Sequence, residues 1–276
     1  SDLMLWLQGV NVGKKYNVSI DEIDVCPVQI QGPLSEDLMA KLAGEELRDV
    51  PFYGLMETNI EGADVVISQT GFTGEKGYEI YVRDAHENAE IVWNAVVEAG
   101  EEFGLMVIAP AHHRRIAAGI LSWGQDMDFE TSPFQVNLSY QVPRNKEADY
   151  IGKEELERQR DEIDKGDFPF KMRMVGLIFG GKEITDYAPD FWLIADTDGN
   201  DMGYITSPWW SPELNTNIAL GWVPWTSSEI GTKLQVRLPD EYSESSGVPV
   251  EGEIVDVPFR ESVNPNKREV QKAKGL

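Results

Sequence analysis

The apolar residues of this chain keep two different rhythms, and the rhythm changes between residues 154 and 170. Upstream, Val28-Gln29-Ile30-Gln31 alternates as a half-buried strand does. A Gly32-Pro33 turn follows, then a helix with Leu38, Met39 and Leu42 on its apolar face, Ser35 as its expected cap and Gly44 as its stop. Val65-Val66-Ile67 and Tyr78-Glu79-Ile80-Tyr81-Val82 read as strands on either side of a glycine-rich turn. Ala89, Val92, Trp93, Val96 and Val97 predict a helix over 86–103 that stops at Gly104, and a second helix is expected over Ala111–Leu121. Glu154 to Arg160 is a charged helix, and Lys165-Gly166-Asp167-Phe168-Pro169 reads as a linker. Downstream, the runs Met174–Phe179, Asn217–Val223 and Lys233–Leu238 are separated by Gly, Pro, Asn and Asp, as in a small β-barrel or sandwich. The expected class is α+β, with an α+β region over 1–160 and a barrel over 171–276.

Charge narrows the function. Asp and Glu number 48 against 24 Lys and Arg, a formal net charge of -24. Such a field repels phosphate backbones and anionic membrane surfaces, which argues against a nucleic-acid or membrane partner. The acidity suits either a solvated shell in a saline habitat or an ordinary enzyme at the acidic end of its class. The lone Cys26 excludes an internal disulfide and a multi-cysteine zinc site; within Val25-Cys26-Pro27-Val28 it reads as a small buried residue. No run is long and apolar enough for a membrane helix, and a cytoplasmic setting is the default expectation. The chain opens directly into Leu3-Met4-Leu5-Trp6-Leu7, so a preceding segment is expected to be missing.

Two stretches could carry chemistry. Thr70-Gly71-Phe72-Thr73-Gly74-Glu75-Lys76-Gly77 lacks the spacing of a phosphate loop, and a strand follows it where a phosphate loop needs a helix. It reads as a turn using Gly for positive φ. In the following strand Tyr78, Ile80 and Val82 share one face, and Glu79 and Tyr81 share the other. Glu79 is therefore either solvated or aimed into a cleft, where a carboxylate suits a ligand with two adjacent N–H donors. The second stretch is His112-His113-Arg114-Arg115. Adjacent histidines point different ways on a helix, which argues against a metal pair. One arginine could hold a carboxylate bidentately or form a surface salt bridge. Asp126 and Asp128, after Gly124, suit capping or turn chemistry. There is no Gly-x-Ser-x-Gly elbow, and Cys26 has no evident His partner.

Five stretches, in order and at the right spacing, resemble the glycine-cleavage T-protein family. They are Val28-Gln29-Ile30-Gln31-Gly32-Pro33; Thr70 to Ile80; Trp123-Gly124-Gln125-Asp126-Met127-Asp128 with Ser132-Pro133; Ile151-Gly152-Lys153-Glu154-Glu155-Leu156; and Gly203-Tyr204-Ile205-Thr206-Ser207 with Ser211-Pro212 and Ile218-Ala219-Leu220-Gly221. The resemblance spans Pro27 to Phe259. It implies a three-domain cloverleaf, here partial, with tetrahydrofolate in a central channel. It implies that Glu79 binds the pterin and Arg115 helps fix the cofactor, with Tyr78, Tyr81 and Trp123 as further cofactor-binding candidates; whether Arg114 or Arg115 faces the ligand stays open. The family reaction passes a one-carbon unit between a substrate heteroatom and folate N5, and needs an acid at that nitrogen. The family places this acid on an Asp in an N-terminal segment that nothing here matches. The catalytic residue is therefore unassigned, and this piece alone is expected to be inactive.

Ala111-His112-His113-Arg114-Arg115-Ile116-Ala117-Ala118-Gly119 departs from the Arg-Asp and Glu pattern of the aminomethyltransferases. Together with Trp123-Gly124 and Pro133 to Leu138 it looks more like the folate-dependent demethylases. A sulfonium donor would favour aromatic walls, for which Trp209, Trp210, Trp222 and Trp225 are available, although barrel core and surface is the favoured account of these four. Aminomethyl transfer, with a lipoyl carrier protein as partner, is the alternative. A non-catalytic folate-binding module and a domain fused to an oxidoreductase are the others.

Overall fold

The computed structural model describes residues 2–109 and 112–259. The chain forms two compact units, one running through Gly71 and from Lys76 to Met106, the other made of Phe72–Glu75 and the chain from Val107 onward. That division falls well before the expected linker at 165–169.

The first unit carries α1 (Asp2–Val10), β1 (Val25–Gln31), α2 (Ser35–Ala43), β2 (Leu55–Ile60), β3 (Ala63–Ser68), β4 (Gly77–Arg83) and α3 (Ala85–Gly100). The strands make one antiparallel sheet in the order β1-β4-β3-β2. Alternation along each strand sends Ile30, Val65, Ile67, Tyr78, Ile80 and Val82 to one face, where they bury against Leu38 and Met39 of α2 and Val92 and Val96 of α3. Two details differ from the expected reading. Ser35 is the first residue of α2 and its hydroxyl donates to the Lys76 carbonyl, leaving Leu34 at the cap position. In the glycine-rich turn, Gly74 has φ 74°, but Gly71 and Gly77 serve space: a Cβ on Gly77 would lie 2.4 Å from Gln31 Nε2 and 2.6 Å from the Ile30 carbonyl oxygen.

The second unit carries α4 (His112–Ala117), α5 (Lys153–Asp164) and six strands: β5 (Met172–Phe179), β6 (Trp192–Ala195), β7 (Asp201–Ser211), β8 (Thr216–Pro224), β9 (Lys233–Val236) and β10 (Val250–Val255). They close into an antiparallel barrel in the order β10-β5-β8-β7-β6-β9, filled by Val175, Leu177, Ile194, Ile205, Val236 and Ile254 among others. The helix expected over Ala111–Leu121 is shorter than its composition suggests; Ala111 lies outside the described residues. Ile120 N–H donates to the Arg115 carbonyl and Gly119 N–H to the Ile116 carbonyl, with Gly119 at φ 67°. This paired closure around a left-handed glycine ends α4 at Ala117. Ile116 and Ala117 then pack with Met174, Ile218, Leu220 and Trp222.

Candidate functional site

Glu79 lies on the sheet face away from α2 and α3. Cross-strand register puts Gln29 of β1 on one side of it and Ser68 of β3 on the other. The carboxylate is half-buried and both its oxygens are engaged. Gln29 Nε2 donates to Oε1 at 2.8 Å. Oε2 accepts the Thr70 hydroxyl and, at 3.3 Å, the Tyr81 hydroxyl. Ser68 Oγ stands 2.5 Å from Thr70 Oγ1; since Thr70 gives its proton to Glu79, Ser68 is the donor in that pair. Burial first, and then the Glu79 charge, push the Tyr81 phenol above its usual range, so it stays a neutral donor. Three neutral donors, from β1, β4 and the turn, thus converge on the Glu79 carboxylate, with Ser68 of β3 held behind Thr70.

In this arrangement three lone-pair directions of a possible four are taken. A ligand offering two parallel N–H groups takes the open direction on Oε1 and displaces the longest contact, that of Tyr81, on Oε2. The site therefore fits the amino-pyrimidinone edge of a pterin. Tyr78 does not belong to it: its ring is fully buried in the core on the opposite face of β4, and its hydroxyl accepts from Gln69 Nε2 at 3.3 Å. That follows from the same alternation that turns Glu79 outward.

In the barrel unit Arg115 is not a ligand-facing cation. Its side chain is 1% exposed, and all five of its N–H donors are used. Nη1 donates to Asp126 Oδ2 at 2.8 Å and to the Ile120 carbonyl at 3.1 Å; Nη2 donates to Ser207 Oγ at 2.8 Å and Gln125 Oε1 at 3.2 Å; Nε donates to His112 Nδ1 at 3.2 Å. Asp126 is equally satisfied, accepting from Ser122 N–H, Thr206 Oγ1 and Ser207 Oγ besides Arg115. No donor remains for a cofactor carboxylate, and the role expected for Arg115 in fixing one is replaced by a structural one. Arg114 is half-buried and stands 3.7 Å from Glu75.

His112 caps this network. Its Nδ1 accepts from Arg115, which fixes the proton of the neutral ring on Nε2. Burial, and secondarily the Arg115 charge, hold its pKa below the ordinary histidine value. The ring packs edge-on to Tyr187 at 4.9 Å and against Trp209 at 5.8 Å. Trp123 is 56% exposed and meets Phe129 edge-to-face at 4.8 Å. Of the four tryptophans considered as cleft walls, Trp222 is buried with its Nε1 donating to the Asp126 carbonyl, and Trp225 packs on Phe168. Among the described residues no group of three or more His, Cys, Asp or Glu is arranged to hold a metal ion, and no helix is long and apolar enough to cross a membrane.

Family comparison bears on the whole of this arrangement. Residues 1–146 match the model of the GCVT N-terminal domain, and residues 173–259 match the glycine cleavage T-protein C-terminal barrel domain. The chain belongs to the glycine-cleavage T-protein family. It is 33% identical to dimethylsulfoniopropionate demethylase DmdA of Ruegeria pomeroyi, over 87% of this chain and 62% of that protein. It is 30% identical to an aminomethyltransferase of a Geobacillus species, over 84% of this chain and 61% of that protein. The fold resembles that of the glycine cleavage system aminomethyltransferase T from Bartonella henselae, with a TM-score of 0.72 at 21% identity, covering 94% of this chain and 66% of that one. The chain thus spans about three fifths of the length of the curated T-protein relatives it matches.

Among the residues expected at a T-protein cofactor site, the structure brings Glu79 and Tyr81 together and sends Tyr78 into the core. Gln29, Ser68 and Thr70 were missed. Gln29 was legible in principle, since it alternates outward in a strand within the resembling segment. Thr70 was hidden because its position depends on how the glycine turn closes. The pairing of Arg115 with Asp126 was missed because Asp126 was read as turn chemistry.

Proposed function

We propose that this chain carries the pterin-binding element of a tetrahydrofolate-dependent one-carbon transferase that takes a methyl group from a sulfur or oxygen donor. The observation that supports the reading is the half-buried Glu79 carboxylate, held by Gln29, Thr70 and Tyr81 on the open side of the sheet. Tetrahydrofolate, when bound, supplies N5 as the acceptor of the one-carbon unit. Glu79 would take paired N–H groups of the pterin edge, Tyr81 would yield its long contact as they arrive, and the Ser68–Thr70 pair would hold Oε2 in place. No residue is assigned the proton transfer at N5.

A methyl donor is favoured over an aminomethyl donor by the His112-His113-Arg114-Arg115 segment, which lacks the Arg-Asp pattern of the aminomethyltransferases. Incubation with tetrahydrofolate and three donors tests both: dimethylsulfoniopropionate, an aryl methyl ether and an aminomethyl-lipoyl carrier protein. Formation of 5-methyltetrahydrofolate from either of the first two supports the reading. Methylenetetrahydrofolate from the third replaces it with aminomethyl transfer, with the lipoyl carrier as partner. Folate binding without turnover leaves the pterin-binding reading in place and withdraws the donor assignment, and absence of folate binding removes the reading.

A further inference from the structure

The two oxygens of Glu79 are held by different chemistry. Oε2 meets two hydroxyls, from Thr70 and Tyr81, whereas the donor on Oε1 is an amide, Gln29 Nε2 at 2.8 Å. The terminal torsion of a glutamate is broad, so the plane of the carboxylate is chosen by its donors. Gln29 stands directly across from Glu79 in the β1–β4 register, where opposed Cβ atoms lie about 4.5–5.5 Å apart and a glutamine reaches without extending. Having spent an N–H on Glu79, the amide presents a carbonyl oxygen on the same face, and no hydrogen bond to that oxygen occurs among the described residues. Gln29 itself is exposed, so that oxygen is accessible. The row therefore offers three acceptor oxygens side by side, two anionic and one neutral.

We propose that Gln29 is a positioning and specificity-determining residue of the Glu79 site. It sets the carboxylate plane and adds an acceptor, so that the row selects ring edges carrying three N–H bonds, as a 2-amino-4-oxopyrimidine does. A 2,4-dioxo edge would set a carbonyl against these acceptors and is rejected for that reason. The inference rests on the pterin reading above and deepens it.

The experiment uses the whole chain and two probes, 5-formyltetrahydrofolate and its 2-deamino-2-oxo counterpart, titrated calorimetrically. The wild-type chain is expected to prefer the amino ligand. Gln29→Met, similar in length but without the amide, is expected to raise the amino-ligand Kd about fivefold and to narrow the amino-over-oxo ratio by a similar factor, the worth of one ordinary hydrogen bond. Gln29→Glu sets two carboxylates face to face, so they must share a proton, and folate binding is expected to weaken progressively as pH rises from about 5 to 8. Thermal melts of both variants separate loss of binding from loss of fold. An unchanged Kd and ratio in the Met variant, or a Glu variant that follows the wild-type pH profile, overturns the role of Gln29 while leaving the pterin reading intact. A wild-type chain that binds neither ligand removes both.

Discussion

Arg115 Nη1 lies 2.8 Å from Asp126 Oδ2, and neither side chain reaches solvent. Each is satisfied at every polar atom, the arginine through five donors and the aspartate through Ser122, Thr206 and Ser207 as well. A buried pair of this kind is strongly coupled: removing one partner strands the other charge in the interior. Asp126→Ala is expected to destabilise the chain by about 3–5 kcal/mol in urea unfolding. Pairing it with Arg115→Met is expected to recover part of that loss. A single-variant cost under about 1 kcal/mol would contradict the description of this pair as a fully desolvated one.

His112 ties that pair to solution pH. Burial and the Arg115 charge lower its folded-state pKa, so the folded chain holds fewer protons here than the unfolded chain. The stability this contributes is complete above the ordinary histidine value of 6.5 and is lost as pH falls below it. The melting temperature is expected to drop between about pH 7.5 and 5. His112→Gln keeps a carbonyl to accept from Arg115 Nε, cannot be protonated, and is expected to flatten the curve. An identical slope in both proteins would place the sensitive group elsewhere.

Glu79→Gln keeps the shape of the side chain but removes its charge and one of its two acceptors. Thermal protection by 5-formyltetrahydrofolate, which follows mass action, is expected to vanish at ligand concentrations that protect the wild type. The corresponding loss of affinity is tenfold or more, because a charge-assisted bond is worth about 1.5–3 kcal/mol. The melting temperature without ligand is expected to change little, since Glu79 faces away from the core. Protection that survives the substitution would detach this carboxylate from folate.

Gly77→Ala tests the turn. The added methyl meets the Ile30 carbonyl oxygen at 2.6 Å, and backbone cannot step aside as a side chain can. A destabilisation of about 1–3 kcal/mol is expected by chemical denaturation. The same substitution at Gly62, where φ is 88° but nothing lies within 4 Å of the new carbon, separates crowding from left-handed strain.

Period-two and helical spacing made β1, β3, β4, α2 and α3 legible, because each buries one face and the pattern records that face. The barrel strands β5 and β8 were legible as continuous apolar runs, buried on both faces along most of their length, and β9 as a short run, each bounded by turn residues. The helix α4 was legible but its end was not, since Ala117 and Ala118 favour helix and it is the glycine closure at Gly119 that stops it. The face of Glu79 could be read from alternation; its donor Thr70 could not, because the eight residues between β3 and β4 set where it lands. Arg115 was misread because a sequence shows a charge but not the acceptors gathered around it. Those come from Ser207 and Asp126, 92 and 11 residues away along the chain.

The two sheets differ in a way that bears on handling the protein. A closed barrel has no free strand border, whereas β1 and β2 each have a single neighbour in the four-stranded sheet. Self-association through backbone pairing is therefore confined to those borders. On β1, Pro27 withholds an N–H from any added strand. On β2 the solvent-facing series Leu55, Glu57 and Asn59 includes one carboxylate, which two copies would bring close together. That repulsion discourages stacking at the β2 border, and the Arg83 guanidinium 3.0 Å from Glu57 lessens it.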